Sequence, residues 1–517
     1  MRSQLRKKRF GVILGSGVGK PLGYPDWREL IKRIASDKLV AGNDLLDKDK
    51  PLPIQAQILF GRFAERNRQS SDVERLNEGD AKRVLKARWR SLVHDALYKD
   101  VSMDISRESV YGQFAEVISQ SALTINYNFD DTLERLLLER RSQNEQEESR
   151  GYETVVDARL QFQRDTAIIY HPNGFLPRNR FENPSDSVVL TEDSFGDQLI
   201  ETMSGQYAAL VNHLSKNTCL FIGLSLDDQT LRHILRQHAR MNPGHVHYYV
   251  RFTPGDKPDQ QTCDAERDAN FEVFNLVTLF LNEAELAALG RLLIATEVDI
   301  AGFGVDTSYC YYLSGVPGTG KTTTASFLRN LITYDEWVDM RPPNLSKPHE
   351  ALTTAERKEV DAWVLDQIGK KNNRLAFDSR SQPVGIRIVD RCLTDPIAFS
   401  EDGQWAEKAR AIIAAIANYH QAAHPGHVIV LNGDAEELVV RVKAQNKDTE
   451  LDYTRKLQGA MKRLYPPGPG ITHLDLGGYS PQDVAKTVAR LIHLDPYVEC
   501  DLTALLSRVE SGAEAAG

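Results

Sequence analysis

The chain has 517 residues, 41% of them hydrophobic and 26% charged, and carries a formal net charge of −9 at pH 7. That length exceeds one ordinary core and predicts two to four domains. The acidic balance argues against general nucleic-acid binding, because a phosphate backbone repels an acidic surface. No apolar run approaches the roughly 18 residues a membrane span needs. The basic opening MRSQLRKKRF is followed by no apolar signal core. A cytoplasmic protein without membrane contact is expected. The five cysteines, Cys219, Cys263, Cys310, Cys392 and Cys500, stand at least 44 positions apart. That spacing rules out a cysteine-based zinc ribbon.

Short apolar runs recur beside helical patterns: 10–14, 121–129, 166–170, 218–226, 311–315, 384–390 and 427–433. Near-continuous apolar strands alternating with helices predict parallel sheets covered on both faces. The fold class expected is therefore α/β, with two three-layer domains. A helix-like segment at 282–299 closes the first, so the domains read 1–300 and 301–517.

In chain order, the first strand runs into Gly15-Ser16-Gly17-Val18-Gly19, a glycine turn, and then Pro25-Asp26-Trp27 opens a helix. By itself such a turn is equally a structural turn or a nucleotide site. Three further strand ends carry polar clusters: Asn128, Asp130 and Asp131; then His171, Asn173 and Gly174; then Gly223, Ser225 and Asp228. Polar residues beyond the carboxyl ends of parallel strands face one crevice, where open α/β sheets bind ligands. His171, with an unperturbed pKa near 6.5, is suited to take a proton at neutral pH.

Over residues 9–240 this set resembles the sirtuin-like domain of bacterial antiviral defence proteins. That domain has a Gly-rich turn with Pro-x-Trp, Thr-x-Asn-x-Asp followed by Asp-x-x-Glu, a His-Gly turn and a Gly-x-Ser-x-x-Asp strand end. The resemblance implies a Rossmann-like, sirtuin-type sheet and NAD+ as substrate. It implies that Asn128 orients water and ribose and that His171 accepts a proton from a ribose hydroxyl. Asp130 and Asp228 would bond cofactor hydroxyls, and the turn at Gly15, Ser16 and Gly17 would approach the pyrophosphate. Asn173, Gly223 and Ser225 complete the implied NAD site. Three positions depart from the pattern. The strand-end motif reads Asn126-x-Asn128-x-Asp130, with Asn126 in the place of Thr. Gly19 stands where Ser is usual, and Asn173 directly precedes the glycine, so His171 and Asn173 both remain open for the catalytic position. Deacylating relatives carry a four-cysteine zinc ribbon. Its absence here points to water as acceptor, with no zinc.

In the second domain, Gly315-Val316-Pro317-Gly318-Thr319-Gly320-Lys321-Thr322 fits the phosphate-binding pattern G-x-x-x-x-G-K-[ST] between a strand and a helix. Such a loop lets backbone N–H groups approach phosphate, with the lysine on the β- and γ-phosphates and Thr322 on Mg2+. Thr323 follows. A strand then ends in Asp390-Arg391. Over 306–500 the chain resembles nucleoside-monophosphate kinases, thymidylate kinase in particular. The resemblance implies Asp390 near Mg2+ or the acceptor, Arg391 on phosphate, and a lid carrying Arg441, Lys443, Lys447 and Arg455. The family's Arg-Glu-Pro loop reads Arg341-Pro342-Pro343 here, without its acid.

The expected function is an NAD+ hydrolase acting as an antiviral, abortive-infection effector. It would be regulated by ATP or another nucleotide with Mg2+ in the kinase-like domain. Its expected partners are small nucleotides and further copies of itself, with room for a partner protein or a phage-derived trigger. Three alternatives stand beside it. One is a nucleoside-monophosphate kinase with a regulatory NAD or ADP-ribose domain. Another is a non-catalytic nucleotide-sensing scaffold. The last is a protein deacylase, which the missing cysteines disfavour.

Overall fold

The computed structural model describes residues 1–101, 109–121, 123–143, 152–156, 167–182, 184–186, 188–203, 208–226, 228–303, 307–328, 330–346, 352–382, 384–444 and 449–512. The chain divides into two compact units. One comprises Met1–Met241 and Val246–Ile294, the other Asn242–His245 and Ala295–Gly517. Each is a three-layer α/β domain built on a parallel sheet, as the alternation of apolar runs and helices predicts.

The first unit holds seven strands: β1 (Phe10–Leu14), β2 (Leu123–Asn126), β3 (Tyr152–Val155), β4 (Ala167–Tyr170), β5 (Thr218–Ile222), β6 (His247–Phe252) and β7 (Leu276–Leu281). They lie in the order β3-β4-β2-β1-β5-β6-β7. Every pairing is parallel. Without the edge strand β3, this is the doubly wound order 3-2-1-4-5-6. β1, β2, β4 and β5 are buried at every residue. Their side chains meet helices on both faces, which explains why these strands read as unbroken apolar runs rather than alternating ones. The chain leaves β1 toward β2 on one side and later returns to β5 on the other. The switch point therefore lies between β1 and β5, and the crevice beyond their carboxyl ends is where such sheets take ligands.

The second unit holds β8 (Thr307–Ser314), β9 (Ile332–Tyr334), β10 (Val384–Asp390), β11 (His427–Asn432) and β12 (Ile471–Asp475). Their order is β12-β11-β8-β10-β9, again wholly parallel. β8 is central, so the loop leaving it is flanked by the ends of β10 and β11. A 28-residue helix, Thr354–Ser381, leads into β10. It starts with a capping box in which Thr353 and Glu356 satisfy each other's backbone N–H groups.

No helix among the described residues is long and apolar enough to cross a membrane.

Candidate functional site

In the first unit, the glycine turn after β1 and the end of β5 interlock. Gly17 N donates to Gly223 O at 2.9 Å, and Gly15 N donates to Ile222 O at 2.9 Å. A Cβ on Gly15 would lie 2.5 Å from Gly223 O, and one on Gly17 would lie 2.9 Å from Gly223 Cα. Gly223 itself has φ +72°, the left-handed region that favours glycine. These glycines are fixed by backbone-on-backbone packing at the switch point. A side chain at either position would collide with the backbone of the facing turn, so the close approach of the two turns requires glycine.

Asn128 leaves the end of β2 beside this turn. Its Nδ2 donates to Gly15 O at 3.1 Å and to Tyr111 Oη at 2.9 Å. The Gly15 carbonyl can only accept, so the amide orientation is determined: both N–H groups are spent, and Oδ1 is the atom left to meet a ligand. Tyr111 sits on the helix Val110–Gln120, where burial raises its phenol well above its usual range. The phenol is therefore neutral.

His171, just past β4, is fully buried. Its Nδ1 lies 2.8 Å from Asn128 O and its Nε2 lies 2.8 Å from Glu134 Oε1. Burial is the largest single influence and pushes the imidazolium pKa down, but the Glu134 carboxylate, the Asn128 carbonyl and Asp130 together reverse it and the net direction is up. Glu134 stands in the first turn of the helix Thr132–Gln143. Its Oε2 is buried with no hydrogen-bond partner among the described residues. Asp130 is also buried; its Oδ1 accepts from Thr132 N at 3.0 Å. Burial, reinforced by the charge of Glu134, raises its carboxyl to about 6, while His171 and the Thr132 hydrogen bonds pull the other way. The neighbouring Asp131 has a different task. It accepts from Tyr98 Oη at 3.0 Å and from Arg178 N at 3.0 Å, tying the strand end to the helix Glu78–Tyr98.

The site therefore brings together Gly15, Gly17, Gly223, Asn128, Asp130 and His171. Asn173 is buried next door, where its Oδ1 meets Gln198 Nε2 at 3.4 Å and its carbonyl accepts from Val189 N. Ser16 is half-buried within the turn. Ser225 is exposed, and Asp228 accepts from Leu231 N at 2.8 Å, capping the helix Gln229–Met241. Burial raises the Asp228 carboxyl. These last two lie beyond β5, on the other flank of β1 from Asn128. Sequence reading assigned no role to Glu134, although it belongs to the Asp-x-x-Glu pattern. It missed Tyr111, which nothing near Asn128 in the chain signals.

In the second unit, Gly315, Gly318 and Gly320 have φ of +132°, +86° and +83°, so all three depend on glycine. A Cβ on Gly315 would strike Leu431 O at 2.4 Å. Lys321 Nζ folds onto the loop, donating to Gly315 O at 2.7 Å and Val316 O at 3.0 Å. Thr322 Oγ1 donates to Asp390 Oδ2 at 2.6 Å. Hydroxyl and carboxylate together are the hard oxygen donors that Mg2+ takes alongside water, so these residues fit that ion. Thr323 is exposed.

Arg391 is a non-glycine residue at φ +73°. Its Nε lies 2.8 Å from Glu336 Oε1, and Glu336 also pairs with Arg341. Glu336, five residues before Arg341, therefore supplies one carboxylate to both arginines. Burial works against its charge, but Arg391, Arg341, Lys321 and Lys371 hold the carboxyl below its usual range. Lys371, in mid-helix, donates to Asp390 O at 2.9 Å. Burial, with the charge of Arg391, brings Lys321 and Lys371 each to about 8. Asp395 accepts from Ser314 Oγ at 2.6 Å and Tyr465 Oη at 2.7 Å, and burial raises its carboxyl.

Arg441 and Arg455 pair with Glu437 and Glu436 on the surface. Arg455 also lines a cavity of about 630 Å³ past the ends of β11 and β12, with Asp434, Gln458, Lys462, His473 and Asp475. Lys443 closes the helix Ala435–Lys443, and Lys447 lies outside the described residues.

All five cysteines are free and buried. No curated protein matches the chain. Among solved structures, the chain is similar to deoxyadenosine kinase from M. mycoides with bound dATP. The identity is 15%, over 32% of this chain and 90% of that one, with a TM-score of 0.25; no function follows from that likeness. Residues 122–274 match the family model of the SIR2-like domain, a stretch that includes Asn128, Asp130, Glu134, His171 and Gly223, and the match is consistent with NAD-dependent chemistry in the first unit.

Proposed function

We propose that the first unit binds NAD+ and hydrolyses the bond between nicotinamide and ribose. The observation that carries this reading is the Asn128 amide, locked by Gly15 O and Tyr111 at the switch point beside a buried acid–imidazole cluster. Loss of nicotinamide leaves an oxocarbenium-like carbon, as in glycoside hydrolysis. Asn128 Oδ1 accepts a hydrogen bond from water and aims it at that carbon. The Asp130 carboxylate, beside a charge-balanced Glu134–His171 pair, gives the cluster a net negative character that favours a cationic centre over a neutral one. The interlocked glycines admit the pyrophosphate.

The second unit binds a nucleoside triphosphate with Mg2+ through Lys321, Thr322 and Asp390, and its occupancy sets the NAD activity of intact assemblies. Such coupling would hold the hydrolase off until a trigger arrives, as an abortive-infection effector requires. One observation favours a second reading, a nucleotide kinase whose front unit senses NAD. Glu336, Arg391, Lys371 and Asp390 assemble around the phosphate loop as a site able to neutralise a transferring phosphoryl group.

The deciding experiment incubates intact protein with NAD+ and a panel of nucleoside mono- and triphosphates and identifies products by mass. Nicotinamide and ADP-ribose support the first reading. A new nucleoside diphosphate without nicotinamide supports the second.

A further inference from the structure

His171 has no ring nitrogen left for a substrate. Nδ1 faces the Asn128 carbonyl at 2.8 Å, and a carbonyl only accepts, so Nδ1 carries hydrogen. Nε2 faces Glu134 Oε1 at 2.8 Å. Whether the proton between them rests on nitrogen or oxygen, Nε2 is committed to Glu134. The ring is fully buried, with Phe175 against it at 4.8 Å between centroids. To receive a proton from a sugar hydroxyl or from water, His171 would have to break a buried pair and turn.

Asp130 differs. It lies two residues beyond Asn128 in the same strand-end loop, and its carboxylate keeps lone pairs beyond those engaged by the Thr132 backbone and side chain. Around it stand Glu134, whose charge raises its proton affinity, and His171, whose charge lowers it. Tyr24, Tyr98 and Tyr111 feel its charge as neutral phenols, while Asp131 accepts from Tyr98 Oη and the Arg178 guanidinium lies over the Tyr98 ring.

Resting on the NAD-cleaving reading, we propose that Asp130 is the proton acceptor of this site and that His171 and Glu134 form a positioning pair that holds the Asn128 main chain. In the step, the water oxygen bonds to the anomeric carbon. The carbon–nitrogen bond breaks with its electron pair passing to the pyridinium nitrogen, and the water's proton goes to the Asp130 carboxylate. Nicotinamide, ADP-ribose and one proton result.

The test compares Asp130→Asn with the double variant His171→Gln/Glu134→Gln, which exchanges the charged pair for two hydrogen-bonding amides. Nicotinamide release is followed from pH 5 to 9. Asp130→Asn should lower kcat by about 100-fold or more and abolish the fall in rate at acid pH. The double variant should keep about a tenth of kcat or more and keep that fall. A double variant as inactive as Asp130→Asn, or an Asp130→Asn enzyme that keeps a tenth of its rate, overturns the proposal.

A second readout is independent of turnover. Nitrogen-15 spectra of histidine-labelled protein, with His171→Gln used for assignment, should show both His171 nitrogens protonated or hydrogen-bonded throughout neutral pH. A ring titrating near the ordinary 6.5 with one free nitrogen overturns it. Absence of nicotinamide from the wild type would sink the NAD reading alone, and the spectra would still decide whether His171 is a free base.

Discussion

Glu134 Oε1 lies 2.8 Å from His171 Nε2, and both side chains are buried. Removing one member leaves the other's charge without compensation, a loss of about 3–5 kcal/mol in buried pairs. Glu134→Ala should therefore destabilise the first unit by that order, and His171→Gln/Glu134→Gln by much less. Denaturant unfolding of the intact chain, with hydrogen exchange reporting on the helix Thr132–Gln143, measures the difference. Equal losses would mean that packing matters here and the charge pair does not.

Asp130 gives stability a pH dependence of definite sign. Its carboxyl is raised to about 6 by burial, against about 3.9 in an unfolded chain. Between these values the folded protein binds more protons than the unfolded one, so stability falls as pH rises from about 4 to 6, by on the order of 2–3 kcal/mol. His171, also raised, acts in the same direction from its ordinary value upward. Asp130→Asn should flatten the lower window. Unfolding free energies from pH 4 to 7 check this, and a slope unchanged in the variant would contradict it.

The interlocked turns predict opposite outcomes for two glycines. Gly223→Ala places a Cβ 2.7 Å from Val18 N at φ +72°, so it should destabilise the first unit by about 1–3 kcal/mol and weaken NAD binding. Gly61, in the helix Leu52–Arg68, has nothing within 4 Å of such a Cβ, and Gly61→Ala should stabilise by about 0.5–1 kcal/mol. Thermal shifts with and without NAD read both.

Much of this was legible in the sequence. Unbroken apolar runs announced parallel strands buried on both faces, and β1, β2, β4 and β5 are such strands. Polar residues at strand ends announced that Gly15, Asn128, His171 and Gly223 gather at one edge of the sheet, because successive parallel strands all end on one side. Hidden were the partners brought in by tertiary packing. Tyr111 precedes Asn128 by 17 positions and reaches it from a helix; Lys371 reaches the Asp390 carbonyl from the middle of another. Neither position breaks its helical pattern, so nothing local marks it. His171 was visible as a residue but its commitment to Glu134 was not, since the two are 37 positions apart.

Nucleotide binding in the second unit should weaken at alkaline pH. Lys321 and Lys371 are each lowered to about 8 by burial, so above that value the loop loses ammonium charge. For a bound triphosphate, Kd should rise with pH by up to about tenfold per unit. The same depressed values make the unit itself more stable as pH rises from about 8 toward 10.5. Titrations at pH 7–9.5 test this; a pH-independent Kd would place the nucleotide away from these lysines. Lys321→Ala should abolish binding at every pH.

Release of nicotinamide from NAD+ by the intact chain, with and without a nucleoside triphosphate and Mg2+, tests the central claim most directly when set beside Asn128→Ala. The account predicts nicotinamide and ADP-ribose in equal amounts from the wild type, a rate that responds to nucleotide, and a loss of about 100-fold or more in the variant. An Asn128→Ala protein that releases nicotinamide as fast as the wild type, or a wild type that leaves NAD+ intact under every nucleotide condition, would contradict it.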